Sequence, residues 1–476
     1  MLALGVAAVV QFGVVAAPVD GDTAYHVAVG RLIRAHGILQ EFPWTPFSWL
    51  ADHYGDKELL LHLMFAALGD VDWSLSSKIV GTLLGGLLLT GLYLVLRAER
   101  VALAALWALL PLAATDVFLY RFALVRPHLL SIPLALAVLW AAARGRLGIL
   151  AALSVAYPFC YVAWGLPLAL VAAAEAARFL AGQRPRWQPA AAVVAGLAAG
   201  LLLHPNTVNL VKFSWVVLVD VLWKAAWGAR PGLELGLEFE PFTVRQWLEW
   251  LLAVAALLAG GAVIAWRVRK RDPVPLALAL AGLGFLALTL RTARFAEYLV
   301  PFAVATFAVA LARLDPPARW ARAAPAVVLL ACLGYTGRDQ LETIRGLGSR
   351  EDQVPRGLAQ KLQARIPEGA QVFTCDWGAT GKLMLALPER RFLVALDPTL
   401  FYLKDPVLSD LWYRLPREAP PGVAEVIRRR FGARFVACFW DQRLRRFFDR
   451  IAFEDGVQTI HLDDYWNVYD LGPPRG

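Results

Sequence analysis

Residues 79–119 read IVGTLLGGLLLTGLYLVL, then RAER, then VALAALWALLPLAATDVFL. A membrane-spanning helix needs about 20 mostly apolar residues, so each of the two apolar runs is long enough to cross a bilayer. Further runs of this kind lie at 2–19, 128–143, 190–205, 247–266, 274–290, 297–312 and 324–336. The pattern predicts a polytopic α-helical membrane protein.

The composition of the whole chain supports this prediction. Of the 476 residues, 58% are apolar and only 18% are charged, and the mean hydropathy is +0.53. A soluble domain carries about 25% charged residues, so a soluble enzyme is excluded. The formal charge of +9 would suggest nucleic acid in a soluble protein, but in a membrane protein such an excess belongs to cytoplasmic loops. No nucleic-acid partner is expected.

Basic loops fix the predicted topology. Fourteen Lys and Arg residues fall in 31 loop positions, at 97–100, 144–146, 178–186, 267–271 and 313–322. These five loops share one face only if 147–177, which is too long for one span and contains Pro158, forms two helices. The positive-inside rule then predicts about eleven spans, with the N-terminus inside. The alternative for the first segment is a cleaved signal peptide.

The chain divides into two predicted domains. Residues 1–336 form the membrane domain, whose first external loop is 20–78, and 337–476 form an external, periplasmic α/β domain. In this tail, strand-like runs (370–374, 392–396, 434–439, 457–462, 466–471) accompany the helical pattern GVAEVIRRRF at 422–431. Cys375 and Cys438 fall on separate predicted strands, where a disulfide can form.

The densest polar cluster, PVDGDTAYHVAVGRLIRAHG (18–37), follows the first span. Asp20 and Asp22 form an Asp-x-Asp pair, and His26 follows Asp22 at the spacing of one helical turn on an amphipathic helix. Such carboxylates can hold a divalent cation, Mg²⁺ or Mn²⁺, or one can act as a base while the other orients it. The alternative is that Asp22 only caps the helix and Asp20 is solvated.

Arginines lie in two short connections that the topology predicts to be external. LYRFALVRPHLL contains Arg121, Arg126 and His128, and TLRTARFAEYL contains Arg291 and Arg294. A guanidinium fork matches phosphate oxygens, so these residues are candidates for binding a phosphate; lipid headgroups are the alternative partner. Glu297 can pair with Arg294, three residues earlier.

A third polar segment, HYGDKELLLHLMF (53–65), lies in the same external loop. Its acids, Asp56 and Glu58, can complete a site with the Asp pair, or they can stabilise the start of a helix over 58–68. Glu58 therefore stays a candidate catalytic residue with both interpretations open.

The sequence resembles the GT-C glycosyltransferases, polytopic enzymes that use polyprenyl-phosphate-linked sugars. The resemblance lies in DGDTAYH (20–26), followed by Gly30 and by FPWTPFS (42–48), and in the order of loop, spans and external tail. More distantly, it is similar to oligosaccharyltransferase catalytic subunits and protein O-mannosyltransferases. The resemblance implies that Asp20 and Asp22 serve as base or metal ligands. The tail lacks a Trp-Trp-Asp motif, which argues against a peptide acceptor.

The sequence and this resemblance together predict an inverting membrane glycosyltransferase. The expected donor is a polyprenyl-phosphate sugar, and the expected acceptor is a glycan, lipid or protein. The transfer is expected at the outer face of a bacterial cytoplasmic membrane. Two alternatives remain at this stage. A transporter or flippase of lipid-linked saccharides predicts ionisable residues in mid-span, and a non-catalytic envelope scaffold leaves the Asp pair without a role.

Overall fold

A computed structural model describes residues 1–18, 20–226, 236–315 and 317–473. Its apolar part consists of helices. They are α1 Leu2–Ala8, α2 Gly21–His36, α3 Leu59–Leu68, α4 Trp73–Ala98, α5 Ala104–Ala114, α6 Asp116–Ala123, α7 His128–Arg144, α8 Leu147–Cys160, α9 Leu166–Leu180, α10 Gln188–Leu203, α11 Thr207–Trp215, α12 Val244–Gln246, α13 Leu252–Val268, α14 Val274–Arg291, α15 Ala296–Ala312 and α16 Ala318–Gly348. π-Helical turns extend α1 (Val9–Val14) and α11 (Val216–Ala226) and join α12 to α13 (Trp247–Leu251).

Four of these helical segments are long and apolar enough to cross a membrane: Trp73–Ala98, Val244–Val268, Val274–Arg291 and Ala293–Ala312. A fifth span exists if α5 and α6, which meet at an angle of 97°, count as one broken span. Five shorter apolar helices, among them α7, α8 and α10, accompany them. The chain is thus a helical membrane protein as predicted, and the number of eleven spans stays a prediction.

The five basic loops lie together at one end of the helices. Glu99 binds Arg144 and Arg313, and Asp272 binds the same two arginines at 2.9 and 2.7 Å. Elsewhere in this group, Arg186 donates to the carbonyl of Ala142 and Arg269 to that of Leu180. Residues 147–177 form the two helices α8 and α9 that this arrangement requires, because the chain leaves the helical conformation at Tyr161.

The tail contains a small mixed sheet. Its elements are α17 Arg356–Arg365, β1 Val372–Phe373, α18 Thr380–Ala386, α19 Thr399–Lys404, α20 Pro406–Glu418, α21 Val423–Phe431, β2 Phe435–Phe439, α22 Arg445–Ala452, β3 Gln458–Leu462 and β4 Trp466–Asp470. The strand order is β1-β2-β4-β3, with β1 and β2 parallel and the other pairs antiparallel. Cys375 and Cys438 form a disulfide beside β1 and β2.

The predicted strand at 392–396 is wrong. Only Arg391 pairs with Gln371, in an isolated bridge next to β1. The amide of Phe392 donates to the carbonyl of Trp44 at 2.7 Å, so the segment contacts the first loop instead of extending the sheet. Residues 392–395 are nevertheless buried, which explains their apolar sequence. The other four strands and the helix at 422–431 are confirmed.

The boundary between the two predicted domains falls inside a helix. Helix α16 continues without a break from Ala318 to Gly348, through the change in hydropathy after residue 336. The composition changes inside the helix, not where its backbone ends. The first residues assigned to the tail therefore extend the last apolar helix.

The tail packs directly on the start of α2. A Cβ atom placed at Gly21 would lie 2.2 Å from the carbonyl oxygen of Gly378, and one at Gly381 would lie 2.3 Å from that of Gly21. No side chain fits at such a distance, so both positions require glycine. Helix α18 thus lies against the turn that carries Asp20 and Asp22.

Candidate active site

The turn 20–22 places its two carboxylates in different environments. Asp20 is the N-cap of α2: its Oδ1 accepts hydrogen bonds from the amide of Thr23 at 3.0 Å and from the Thr23 hydroxyl at 2.6 Å. Asp22 lies in the first turn of the helix and keeps about a third of its side chain exposed. The capping residue is therefore Asp20, and the alternative that assigned this role to Asp22 is wrong.

Arg126 lies between these two carboxylates. It forms an ion pair with Asp20, and its Nη1 lies 3.1 Å from Oδ2 of Asp22. Burial raises the pKa of Asp20, but Arg126 and the bonds from Thr23 outweigh burial and hold the pKa below its usual value. Burial, with the charges of Asp20 and Glu238, raises the pKa of Asp22. Two carboxyl groups with opposite shifts are the arrangement by which one fold separates a base from a fixed anion.

Two further arginines face the same place. Arg121 extends from α6 and donates from Nη1 to Oε2 of Glu238 at 2.6 Å, while its Nε donates to Oε2 of Glu297 at 2.9 Å. Arg294 reaches Oε1 of Glu238 at 3.2 Å. Glu297 thus pairs with Arg121, and not with Arg294 as expected, because α6 turns by 97° toward α15. A broken helix at this depth is tolerated where it lines a cavity.

The other predicted site residues lie at different distances from this cluster. His128 is behind it, with Nε2 at 2.8 Å from the carbonyl oxygen of Arg121, so it fixes the end of α6. Arg291 is exposed at the end of α14 and does not line the cavity. His26 and Glu58 line the cavity next to Asp22.

The cluster forms the polar end of a cavity of about 200 Å³. The rest of the lining is largely apolar and comes from several helices and the tail; it includes Tyr161, Val162, Phe285, Leu288, Trp377 and Leu400. A larger cavity of about 550 Å³, beside Arg31 and Asp72, contains none of the predicted site residues. The smaller cavity is the candidate active site because the paired carboxylates and the arginines converge there.

Behind Asp22, a group of buried side chains has the composition of a metal site. Nδ1 of His26 lies 2.9 Å from Nε2 of His62 and 3.7 Å from Oε2 of Glu58, and the ligand atoms of these three residues lie within 4.8 Å of one another. Nδ1 of His62 donates to Asp56 at 2.8 Å, which leaves Nε2 as the acceptor. A carboxylate behind a histidine is the usual orienting partner of a metal-bound imidazole.

The protonation state of His26 also suits a metal. Lys57 pairs with Oε1 of Glu58, so Oε2 is the oxygen that faces His26. Burial lowers the pKa of His26 to about 3, so the ring is neutral, as a ligand must be. Burial raises the pKa of Glu58, but Lys57 and the two histidines outweigh it and hold the pKa at about 2. Two imidazoles and a carboxylate are the ligands of many zinc sites. His26, expected on the polar face of α2, is instead buried because α3 and α18 cover the helix.

Sequence analysis did not identify three residues of the site and its surroundings. Glu238 lies in a Trp-rich loop far from Arg126 along the chain, and His62 is a single polar residue in the apolar run LLLHLMF. Asp397, from the tail, also lines the cavity, and burial raises its pKa to about 6. The only local signal for Asp397 is its place directly before a proline, which is typical of turns.

Comparison with solved structures aligns the whole chain with ArnT from Cupriavidus metallidurans, a GT-C glycosyltransferase whose crystal structure contains undecaprenyl phosphate. The alignment covers 100% of this chain and 99% of ArnT, with 13% identity and a TM-score of 0.58. No protein-family model and no curated protein matches the sequence. The chain therefore has the fold of ArnT over its whole length, the kind of fold that the resemblance of its first loop predicted.

Proposed function

We propose that the protein transfers a sugar from a polyprenyl-phosphate donor to an acceptor at the outer face of the bacterial cytoplasmic membrane. One observation carries the proposal. A carboxylate with a raised pKa and three arginines meet at the polar end of an apolar cavity, in a fold whose solved example holds undecaprenyl phosphate. The apolar lining suits an isoprenoid chain, and the arginines suit its phosphate.

Asp22 acts as the general base. Its carboxylate takes the proton of an acceptor hydroxyl as the acceptor oxygen bonds to the anomeric carbon, and the bond from that carbon to the phosphate oxygen breaks. This single displacement inverts the anomeric centre. Arg126, with Arg121 and Arg294, neutralises the charge that develops on the departing lipid phosphate. Asp20 positions Arg126 and caps α2, and it takes no proton because its carboxylate is held by both partners.

The pair Asp20–Asp22 does not suit the predicted Mg²⁺ or Mn²⁺. The guanidinium of Arg126 lies against both carboxylates, and Thr23 engages the remaining oxygen of Asp20. Arg126 supplies at this place the positive charge that a cation would bring. The residues that do fit a metal are His26, Glu58 and His62, through two imidazoles and a carboxylate.

Two features support an outward-facing site. The five basic loops cluster at the end of the helices opposite Asp22, where the positive-inside rule assigns the cytoplasm. The tail that packs on Asp22 contains the disulfide Cys375–Cys438, a bond that persists in oxidising compartments.

The decisive experiment compares Asp22→Asn with Glu41→Gln, an exposed acid in the same loop. Turnover of radiolabelled undecaprenyl-phosphate sugar is measured in proteoliposomes made with envelope lipids. A general base contributes about 10²–10⁴-fold, so Asp22→Asn should reduce turnover at least about 100-fold, while Glu41→Gln leaves it unchanged. Near-wild-type turnover in Asp22→Asn would move the base to Asp20 or Glu58. Full turnover in Asp22→Asn, Asp20→Asn and Glu58→Gln alike would contradict glycosyl transfer at this site.

A further inference from the structure

Glu238 is surrounded by the arginines that would bind a phosphate. Its Oε2 lies 2.6 Å from Nη1 of Arg121 and 2.9 Å from Nη1 of Arg126, and its Oε1 lies 3.2 Å from Nη1 of Arg294. These arginines come from two separate segments of the chain, with Arg121 and Arg126 in one and Arg294 in the other. A carboxylate that accepts bonds from three guanidiniums stands where a phosphate group would make the same contacts.

The cluster around Glu238 contains more carboxylates than arginines. Three guanidiniums in this cluster, those of Arg121, Arg126 and Arg294, face the four carboxylates of Asp20, Asp22, Glu238 and Glu297. The positive charge is thus already fully compensated. A phosphate that entered without displacing a carboxylate would add at least one further negative charge to a partly buried site, which is strongly unfavourable.

Among the four carboxylates, Glu238 is the one that pairs with all three arginines and can leave them, whereas Asp22 pairs only with Arg126. Asp20 caps α2, and Glu297 is 1% exposed inside α15. Glu238 lies in the three-residue turn Leu237–Phe239 and keeps a quarter of its side chain exposed. Beyond its side chain, this turn is held by the hydrogen bond from the Ala293 amide to the Glu240 carbonyl, at 2.9 Å, and by the Arg294 guanidinium over the Phe239 ring.

The charge of Glu238 is permanent at neutral pH. Burial raises the pKa of this carboxyl, but Arg121, Arg294 and Arg126 outweigh burial and hold the pKa well below its usual value. The side chain therefore competes with an incoming anion as a full negative charge, and pH changes near neutrality do not remove the competition.

We propose that Glu238 occupies the subsite of the donor phosphate, and that the phosphate binds by displacing this carboxylate from Arg121, Arg126 and Arg294. The inference rests on the proposed function, since it identifies how the lipid phosphate enters that site. In the absence of donor, Glu238 neutralises the arginines and keeps other anions out. An exchange of one anion for another leaves the charge near Asp22 almost unchanged.

The test measures lipid binding by the full-length protein in phosphatidylcholine nanodiscs. Undecaprenyl phosphate is the probe, and undecaprenol, which has the same chain without phosphate, is its control. Glu238→Gln keeps the shape and removes the charge. The matched control is Glu249→Gln, an acid that pairs with Arg245 on the exposed surface. Removal of one charge-assisted competitor should tighten undecaprenyl phosphate binding at least about tenfold, with undecaprenol binding and Glu249→Gln unchanged.

Other outcomes overturn the inference in distinguishable ways. Unchanged or weaker phosphate binding in Glu238→Gln, while the wild type binds the lipid, would make Glu238 a structural partner of the arginines. Equal gains for undecaprenyl phosphate and undecaprenol would assign the effect to space in the cavity. Wild-type protein that binds no phosphate lipid would remove the proposed function itself. If Glu238→Gln unfolds at a lower temperature, Glu238→Asp, whose shorter side chain retracts the charge, should still bind the phosphate lipid more tightly than wild type.

Discussion

Two clusters of arginine and carboxylate lie at opposite ends of α7, and they are built differently. At the Arg144 end, called the inner end because the positive-inside rule predicts it to be cytoplasmic, Glu99 is 1% exposed and accepts bonds from Trp140, Arg144 and Arg313. Asp272 joins the same arginines. At the outer end, a cavity opens beside the charges, and no described residue donates to the second oxygen of Glu297. A buried charge network in which every polar group has a partner joins helices. A network that leaves an acceptor oxygen unpaired beside a cavity can receive a ligand.

The largest effect is expected at the inner cluster and concerns stability alone. Glu99→Gln removes the charge that holds Arg144 and Arg313. Breaking a buried pair costs about 3–5 kcal/mol, so the free energy of unfolding should fall by about 3 kcal/mol, since Arg144 is a third exposed. Thermal unfolding measures the loss, and undecaprenyl phosphate affinity should stay at the wild-type value. A loss of affinity without a loss of stability would reverse the assigned roles of the two clusters.

The second-largest effect is expected in lipid binding, at the outer cluster. Arg126→Ala should weaken undecaprenyl phosphate binding by about 10- to 150-fold, because a charge-assisted hydrogen bond is lost. Arg144→Ala, the matched arginine at the other end of α7, should leave binding unchanged and lower the unfolding temperature. Arg294→Ala should resemble Arg126→Ala. If all three variants bind the lipid alike, the outer arginines contact lipid headgroups and the comparison fails.

A smaller, pH-dependent effect is expected at Asp397, at the cavity wall. Its pKa is about 6 in the folded protein and near 3.8 in the unfolded chain, so the unfolded chain ionises first as the pH rises. Asp397 therefore lowers stability progressively between about pH 4 and pH 6, by at most about 3 kcal/mol. Asp397→Asn should unfold at a higher temperature than wild type at pH 7.5, and the difference should vanish at pH 4. A constant difference across this range would contradict the raised pKa.

The smallest effect concerns the buried histidines beside the outer cluster. A metal held by His26, Glu58 and His62 stabilises the folded protein, by about 1.4 kcal/mol when free metal is at ten times its dissociation constant. Elemental analysis should find zinc in the purified protein, and His62→Ala should lose it while Asp22→Asn retains it. Wild-type protein that contains no metal and gains no stability from added zinc would leave this group as a hydrogen-bonded core.

Local patterns predicted the part of this site that is local in sequence. DGDTAYH predicted the turn that carries Asp20 and Asp22, because acidic residues directly after an apolar span suit the N-terminus of a following helix. The same pattern could not tell which acid caps α2, since both suit an N-cap and the choice depends on Arg126, more than 100 residues later. Sequence analysis missed Glu238, His62 and Asp397, because tertiary packing brings them to the site and sequence periodicity does not report such packing. Glu238 and Asp397 line the cavity, and His62 lies in the buried group with His26 and Glu58.

The fold likewise contains features that local patterns predicted and features that depend on tertiary contacts. Apolar length and loop charge predicted the helices and the common end of the basic loops, because both follow from transfer into lipid. The segment 392–396 was misread as a strand because burial against another loop produces the same apolar sequence as burial in a sheet. The end of the last apolar helix was misplaced for a related reason, since hydropathy reports the surroundings of α16 and not its hydrogen bonds.

The contact between Gly21 and Gly378 has a consequence for how the protein is made. The turn that carries Asp20 and Asp22 is synthesised at the start of the chain, and the surface against which it packs follows more than 350 residues later. Until the tail has been translated and has packed on it, this turn lacks the surface that determines its conformation. We therefore expect an unfinished chain to be inactive in the proposed sugar transfer until its tail is complete.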